Sequence, residues 1–226
     1  MKNSKVHFID CGANWGLAIK WAKRKYGERL VKIDAFEPEM ANFNKILVFC
    51  SEENKDELDI VVHQQAVWIK NEVRPFFVQH WGTRTGSSIV KNKEQILKKG
   101  QVWPAVYLGS TCPIRKEDQE NFRFTRGGLA IAMADLNCNT VKMNVQCIDL
   151  FDWIKRNVNK ENYNILKIDI EGAEYEVIKH LLNHGAQEYI DEWLVEFTEV
   201  EKVPEDYDQE VVDKFKSTVT NYKDWR

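Results

Sequence analysis

FIDCGANWG, residues 8–16, is the stretch that decides the fold of this chain. An apolar run ends in Asp10, and a Gly-x-x-x-Gly turn from Gly12 to Gly16 follows at once. Apolar side chains then recur at helical spacing up to Gly27, a residue type that commonly ends helices. The pattern therefore predicts a strand, a tight turn and a helix. Two glycines in the turn allow a ligand to lie close to the backbone at the carboxyl end of the strand.

The spacing of these glycines indicates which kind of ligand the turn suits. A turn that cradles the pyrophosphate of a dinucleotide has the pattern G-x-G-x-x-G, whereas this turn has G-x-x-x-G. Asp10 lies two residues before Gly12, where its carboxylate is placed to accept hydrogen bonds from a cationic amine. These features favour a ligand with an amino-acid end and a nucleoside end. The alternative is a strand-to-helix turn that needs glycine for its geometry alone.

A second short strand ends in an acid at KIDAFEP, residues 32–38. In a β-α-β unit, a carboxylate at the end of the second strand accepts two hydrogen bonds from a ribose diol. Glu37 has this position, and Pro38 suits the start of the helix that follows. The alternative is that Glu37 only caps that helix.

A third strand ends in an acid within ILKIDIEGAEYE, residues 165–176. The pattern predicts a strand up to Asp169, a turn at Glu171-Gly172 and an amphipathic helix that Gly185 ends. Asp169 and Glu171 then lie at the carboxyl edge of the sheet, where open parallel α/β sheets bind ligands. The alternatives are solvated loop charges or acids that cap the next helix.

These segments together resemble the FkbM family of S-adenosylmethionine-dependent methyltransferases. The matching stretches, in the order of the family, are FIDCGANWG, DAFEPEMANF, QQAVW, TGSSI, LKIDIEGAEYEVIKHL and WLVEF. The resemblance implies an α/β, Rossmann-like class I methyltransferase fold that binds S-adenosyl-L-methionine. The cofactor-binding residues that we predict are Asp10, Gly12, Ala13, Asn14, Gly16, Glu37, Pro38, Gln65, Ala66 and Asp169.

The composition agrees with a compact enzyme. The chain has 226 residues, 43% of them hydrophobic and 30% charged, which suits a single globular domain. The net charge is −3 and no long basic run occurs, so a nucleic-acid partner is not expected. No apolar stretch is long enough for a membrane span. The first strand begins within a few residues of Met1, which argues against a signal peptide, and we expect a cytoplasmic protein.

Strands and helices alternate along the chain, which predicts a mostly parallel central sheet with helices on both faces. The predicted strands are 5–10, 31–36, 59–67, 73–79, 144–148, 164–169 and 192–197. The predicted helices are 15–26, 39–50, 149–158, 172–184 and 208–220. Only about 25 residues follow the last of these strands, so we expect the C-terminal β-hairpin usual in this class to be shortened or absent. We predict that residues 1–226 form a single methyltransferase domain. A shortened end would fit an excised domain of a larger enzyme, a minimal enzyme, or a sheet edge that a partner covers.

Residues 80–143 are too long for an ordinary connection and predict an insertion or lid. Aromatic side chains beside arginines suit stacking on a sugar ring or gripping an acidic group. We predict that Trp81, Trp103 and Arg126 bind the methyl acceptor. The alternative is a structural excursion with a small core of its own.

Methyl transfer to a hydroxyl needs an in-line approach and a group that takes the hydroxyl proton. The acids at strand ends, Asp169, Glu171 and Glu196, are the predicted catalytic residues, alone or with a divalent metal ion. His180 and His184 lie farther along their helix and are predicted to be ordinary helix-surface or packing residues. The five scattered cysteines include no C-x-x-C spacing, which argues against a zinc site.

The family resemblance favours an O-methyltransferase, and the aromatic and arginine content of the insertion favours a sugar or glycan hydroxyl as acceptor. A hydroxyl of a polyketide, a lipid or another small molecule is the alternative acceptor. Two further classes stay open: a nicotinamide-dependent oxidoreductase, and a non-catalytic cofactor-binding domain. The missing three-glycine pattern argues against the former, and the acids at all three strand ends argue against the latter.

Overall fold

The computed structural model describes residues 5–53, 58–79, 87–89, 106–107, 122–124, 129–132, 140–199 and 206–225. The strands are β1 Val6–Cys11, β2 Leu30–Phe36, β3 Asp59–His63, β4 Ala66–Trp68, β5 Glu72–Gln79, β6 Val106–Tyr107, β7 Phe122–Phe124, β8 Leu129–Ala132, β9 Thr140–Asp149, β10 Tyr163–Ile168, β11 Glu192–Val195 and β12 Tyr222–Asp224. The helices are α1 Leu17–Tyr26, α2 Met40–Glu53, α3 Leu150–Asn157, α4 Glu174–Asn183 and α5 Gln209–Thr218.

The central sheet has six strands in the order β12-β11-β10-β1-β2-β3, and every neighbouring pair is parallel. β1 lies in the middle, and all of its residues are buried. The strand order reverses beside β1, because the chain moves outward through β2 and β3 and then returns to β10 on the other side. Such a reversal opens a crevice at the carboxyl ends of the strands. The α/β class and the parallel central sheet predicted from the sequence are confirmed.

Two apolar cores cover the two faces of this sheet. Alternate residues of β1 divide between them, with Phe8 in the core beneath α1 and α2, and Ile9 in the core beneath α3, α4 and α5. This division follows from the period of two residues along a strand. The helices fix the sheet on both sides, so the loops at the carboxyl edge are attached to a rigid base.

A second, smaller sheet corrects one sequence prediction. Residues 59–67 were predicted as one strand, but the chain leaves the central sheet after His63 and begins β4 at Ala66. β4 pairs with β9, which also pairs antiparallel with β5. The apolar run continues through both strands, so its hydrophobic pattern does not show that the two belong to different sheets. Gln64 and Gln65 form the break between them.

The central sheet ends at β12, which follows β11 in the chain. β12 pairs parallel with β11 through Trp193 and Tyr222, and no antiparallel hairpin strand occurs beside β11 among the described residues. The sequence prediction did not include β12 itself. Its addition places Trp225 against Trp21 of α1, with 5.0 Å between the ring centroids. Within the part of the chain that the structure describes, no helix is long and apolar enough to cross a membrane.

Most of the predicted insertion at 80–143 lies outside the described residues, and so do Trp81, Trp103 and Arg126. The described parts of the region include β6, β7 and β8, which pair antiparallel in a third small sheet of order β6-β8-β7. The division of the chain into one domain with a lid stays a prediction.

Candidate functional site

A cavity of about 380 Å³ opens at the carboxyl ends of β1, β2 and β10. Nine of the residues predicted from the sequence to bind cofactor or act in catalysis line it: Gly12, Asn14, Glu37, Pro38, Gln65, Ala66, Asp169, Glu171 and Glu196. The three strand-end segments that suggested a ligand site are therefore brought together in space. Asp10, Ala13 and Gly16 do not line the cavity; all three are buried beside it.

The turn after β1 approaches the loop after β10 so closely that position 12 must be glycine. Its φ is +84°, and a Cβ built on it would lie 1.9 Å from the backbone oxygen of Asp169. The backbone N–H groups of Gly12 and Ala13 both donate to the carbonyl of Phe36, at 3.1 and 3.0 Å. The N–H of Asp169 donates to the carbonyl of Cys11 at 3.1 Å. The turn after β1 is thus fastened to the ends of both neighbouring strands.

Two residues that line the cavity hold a left-handed backbone conformation although they are not glycine. Asn14 has φ 49° and Glu171 has φ 60°. Such conformations cost about 1–3 kcal/mol and persist where the surrounding structure fixes them, which is common at functional sites. No other described residue except glycine has a positive φ. The loops after β1 and β10 therefore present these two side chains in fixed positions.

Glu37 lies at the end of β2 with its carboxylate almost fully buried. Its Oε2 accepts the N–H of Asn14 and its Oε1 accepts the N–H of Glu39, both at 2.8 Å. Burial raises the pKa of Glu37 to about 8, although these two backbone N–H groups oppose the shift. The N–H of Asn42, in the first turn of α2, donates to the carboxylate of Glu39 at 2.8 Å. Capping of the helix is therefore done by Glu39, and Glu37 faces the cavity.

Lys167 joins two of the predicted acids beneath the cavity. Its ammonium lies 3.0 Å from Asp10 Oδ1 and 3.3 Å from Asp169 Oδ2, and it donates to the carbonyl of Gly12 at 3.0 Å. Burial alone would lower the pKa of Lys167, but the two carboxylates outweigh burial and the pKa is raised. The sequence analysis missed Lys167. Lys167 lies in β10 two residues before Asp169, and the period of two along a strand places both side chains on the same side of the chain, but the sequence alone does not show that Lys167 is buried.

Glu174 and Tyr175 fasten the loop after β11, which carries Glu196. Glu174 is fully buried, and its carboxylate accepts the N–H of Gly172 at 2.7 Å and the N–H of Thr198 at 2.6 Å. The hydroxyl of Tyr175 donates to the carbonyl of Thr198. Burial raises the pKa of Glu174. These contacts connect the turn after β10 to the turn after β11, so Asp169, Glu171 and Glu196 share one rigid support.

The family is decided by a comparison over nearly the whole chain. The sequence profile described as “Methyltransferase FkbM domain” matches residues 10–223. The chain belongs to the FkbM methyltransferase family. Neither a curated protein nor a solved structure matches it significantly.

The second sheet of this FkbM methyltransferase supplies another wall of the cavity. Phe76 of β5 lines it together with Ser87 and Ile89. The backbones of Phe77 and Ser88 exchange two hydrogen bonds, at 2.8 and 3.1 Å, which hold this wall against β5. Ser87–Ile89 belong to the TGSSI stretch of the sequence, which therefore lies at the site.

The described residues of the FkbM methyltransferase contain no group of three His, Cys, Asp or Glu side chains arranged to hold a metal ion. The two helical histidines lie away from the cavity: His180 is 3.1 Å from Asp149 Oδ1, and the ring of His184 packs on Phe151. The described geometry therefore does not fit a divalent metal, and we derive no step through one.

Proposed function

We propose that this FkbM methyltransferase transfers a methyl group from S-adenosyl-L-methionine to a hydroxyl oxygen, with a sugar or glycan as the acceptor. The observation that carries the proposal is the position of Glu37. Its carboxylate lies at the end of β2, beside the glycine turn of β1, and lines the cavity. A carboxylate at that place in a β-α-β unit binds the two hydroxyls of a ribose.

The residues of the cavity suit the other parts of this cofactor. Gly12 lines the cavity, and because it has no side chain the turn meets the β10 loop closely and only backbone faces a ligand there. Asn14 Oδ1 is buried and has no hydrogen-bond partner among the described residues, which leaves an acceptor for a donor group of the ligand. Four carboxylic acids line the cavity, and no described lysine or arginine does. A cofactor with a sulfonium and an ammonium group matches that charge.

The wall formed by Phe76, Ser87 and Ile89 supports a neutral acceptor with both apolar and hydroxyl surface. Phe76 and Ile89 offer apolar contacts, and Ser87 offers a hydroxyl. A sugar ring presents the same mixture of C–H faces and hydroxyls. An anionic acceptor would instead approach Glu171 and Glu196 with like charge.

Catalysis in this proposal depends on position and on removal of one proton. When bound, S-adenosylmethionine supplies the methyl group for an in-line displacement by the acceptor oxygen. Holding the two in line contributes most of the rate. Asp169, with Glu171 or Glu196 beside it, accepts the proton of the attacking hydroxyl. The left-handed backbone at Glu171 and the Glu174 contacts keep these acids in place.

Mass spectrometry tests the function directly. The protein is incubated with S-adenosylmethionine and a panel of neutral glycans, uronic-acid glycans, polyketide hydroxyls and lipid hydroxyls. We expect the gain of one methyl group on a neutral glycan and no gain without cofactor. A methyl group gained only by the lipid or polyketide compounds of the panel would show that the acceptor belongs to one of those classes and is not a glycan. No gain on any member, with tight binding of cofactor, would contradict the assignment of a hydroxyl acceptor from these classes.

The affinity for the cofactor should rise with pH through the titration of Glu37. The pKa of Glu37 in the folded protein is raised to about 8, so a proton must leave before the carboxylate can accept two ribose hydroxyls. Below pH 8 the affinity should therefore increase up to about tenfold per pH unit and level off above it. Calorimetric titration with S-adenosylhomocysteine between about pH 6 and 9 measures this. In Glu37→Gln the rise of cofactor affinity with pH that comes from the Glu37 carboxylate should be absent. The same pH dependence of affinity in Glu37→Gln and in the wild type would contradict the assignment of Glu37 to the ribose.

The predicted acceptor residues lie outside the described part of the chain, but kinetics can test them. Trp103→Ala or Arg126→Ala should raise the KM for the acceptor and leave the affinity for the cofactor nearly unchanged, because we place residues 80–143 on the acceptor side. Steady-state kinetics and calorimetry separate the two constants. Weaker cofactor binding with a normal KM for the acceptor would assign Trp103 and Arg126 to the cofactor and not to the acceptor.

A further inference from the structure

Lys167 differs from the other lysines that form ion pairs in the described part of the chain. Its side chain is 3% exposed, whereas the lysines of those other pairs are at least 29% exposed. Removing an ammonium from water is costly, and good geometry with several acceptors must repay that cost. A buried lysine that pairs with a carboxylate of the cavity wall therefore calls for an explanation beyond surface charge pairing.

The Lys167 ammonium lies within 3.3 Å of three oxygens, two from β1 and its turn and one from the loop after β10. Asp10 Oδ1 and the carbonyl of Gly12 belong to β1 and its turn, and Asp169 Oδ2 belongs to the end of β10. Trp225 lies over the ammonium, with 5.6 Å between Nζ and the ring centroid. The side chain of Lys167 thus links the two loops that form the centre of the cavity.

The same contacts indicate different roles for Asp10 and Asp169. Asp10 is fully buried, does not line the cavity and has the Lys167 ammonium at 3.0 Å. Asp169 lines the cavity with a side chain that is 27% exposed, and the ammonium lies 3.3 Å from its Oδ2. Asp10 is then the buried counter-ion of Lys167, and Asp169 is the carboxylate presented to the ligand.

We propose that Lys167 is a positioning residue of the methyl-donor site, which holds the Asp169 carboxylate and the Gly12 turn in fixed relation beside the methionyl end of the cofactor. This role rests on the function proposed above. Asp10 acts through Lys167 by balancing its charge. The chain retains a buried lysine because the site needs one carboxylate fixed between two loops.

The test compares Asp10→Asn with the double variant Asp10→Asn/Lys167→Met. Lys167→Met alone would leave the Asp10 carboxylate buried without its cation and endanger folding, whereas the double variant removes both charges. Lys179→Met is the matched control, because Lys179 pairs with Asp208 on the surface of α4, away from the cavity. Cofactor affinity is measured by calorimetry and thermal stability by the unfolding midpoint. A crystal structure of the double variant gives the position of Asp169.

We expect the double variant to bind S-adenosylmethionine about 10–100-fold more weakly than Asp10→Asn at a similar unfolding midpoint. Lys179→Met should bind as the wild type does. Equal affinity of the double variant and Asp10→Asn would overturn the positioning role. If the wild type binds no S-adenosylmethionine, the proposed function fails, and the crystal structure decides the inference by itself. An Asp169 carboxylate displaced from its place beside Gly12 then supports positioning, and an unmoved carboxylate contradicts it.

Discussion

Asp169→Asn should lower the turnover of methyl transfer about 10²–10⁴-fold while the protein stays folded, because a positioned base contributes on that scale. Asp169 lines the cavity at the end of β10 and is 27% exposed. An amide has nearly the shape of the carboxylate and still lies beside Lys167, but it does not accept a proton. The variant therefore removes the chemistry of the group and keeps most of its packing.

Steady-state kinetics at saturating cofactor measure this effect. Asp152→Asn is a suitable control, since Asp152 forms an exposed 2.6 Å pair with Arg156 on α3 and lies outside the cavity. If Asp169 only orients the ammonium of the cofactor, the variant will bind cofactor weakly, and its turnover will recover at saturation. Repeating the assay with a chelator separates a base from a metal ligand. Near-normal saturated turnover would remove Asp169 from the chemistry.

Gly12→Ala should cost about 2–5 kcal/mol of stability and abolish measurable cofactor binding. A left-handed alanine costs about 1–2 kcal/mol, and forcing a methyl group into an occupied place costs about 1–3 kcal/mol more. The obstacle is the backbone oxygen of Asp169, 1.9 Å from the Cβ position, and backbone at the end of a buried strand moves little. The β1 turn and the β10 loop must then separate, and the cavity between them loses its shape.

Gly185→Ala is the matched control for this substitution. Gly185 has nearly the same φ, +82° against +84°, and the nearest atom to its Cβ position is a side-chain oxygen of Glu188 at 3.8 Å. Denaturant unfolding should therefore show about 1–2 kcal/mol for Gly185→Ala, from backbone conformation alone. Equal losses of unfolding free energy in Gly12→Ala and Gly185→Ala would mean that the close contact between the β1 turn and the β10 loop does not add to the cost of Gly12→Ala.

The sequence predicted the ends of β1, β2 and β10 because each carries its signal locally. An apolar run, an acid and a turn residue lie next to one another in Asp10-Cys11-Gly12, in Phe36-Glu37-Pro38 and in the run up to Asp169. Parallel strands place such ends at one edge of the sheet, so the convergence of these acids followed from topology. The cavity brings most of the predicted residues together for that reason.

Features that depend on distant partners were not predicted. The break at Gln64-Gln65 depends on which sheet each strand joins, and the apolar pattern is the same on both sides of it. β12 has only three residues, and its place in the sheet depends on pairing with β11. Lys167 and Glu174 appear in the sequence as ordinary charged residues, and only the fold buries them against carboxylates or backbone N–H groups.

Calorimetric titration with S-adenosylmethionine, on the wild type and on Glu37→Ala, tests the central claim most directly. We expect the wild type to bind this cofactor and not to bind a nicotinamide dinucleotide. We expect Glu37→Ala to weaken binding by about 1–3 kcal/mol, because charge-assisted hydrogen bonds to the ribose are lost. Glu72→Ala serves as control, since Glu72 pairs with Arg74 outside the cavity. A wild type that binds no S-adenosylmethionine, or a folded Glu37→Ala protein with unchanged affinity, would contradict the account.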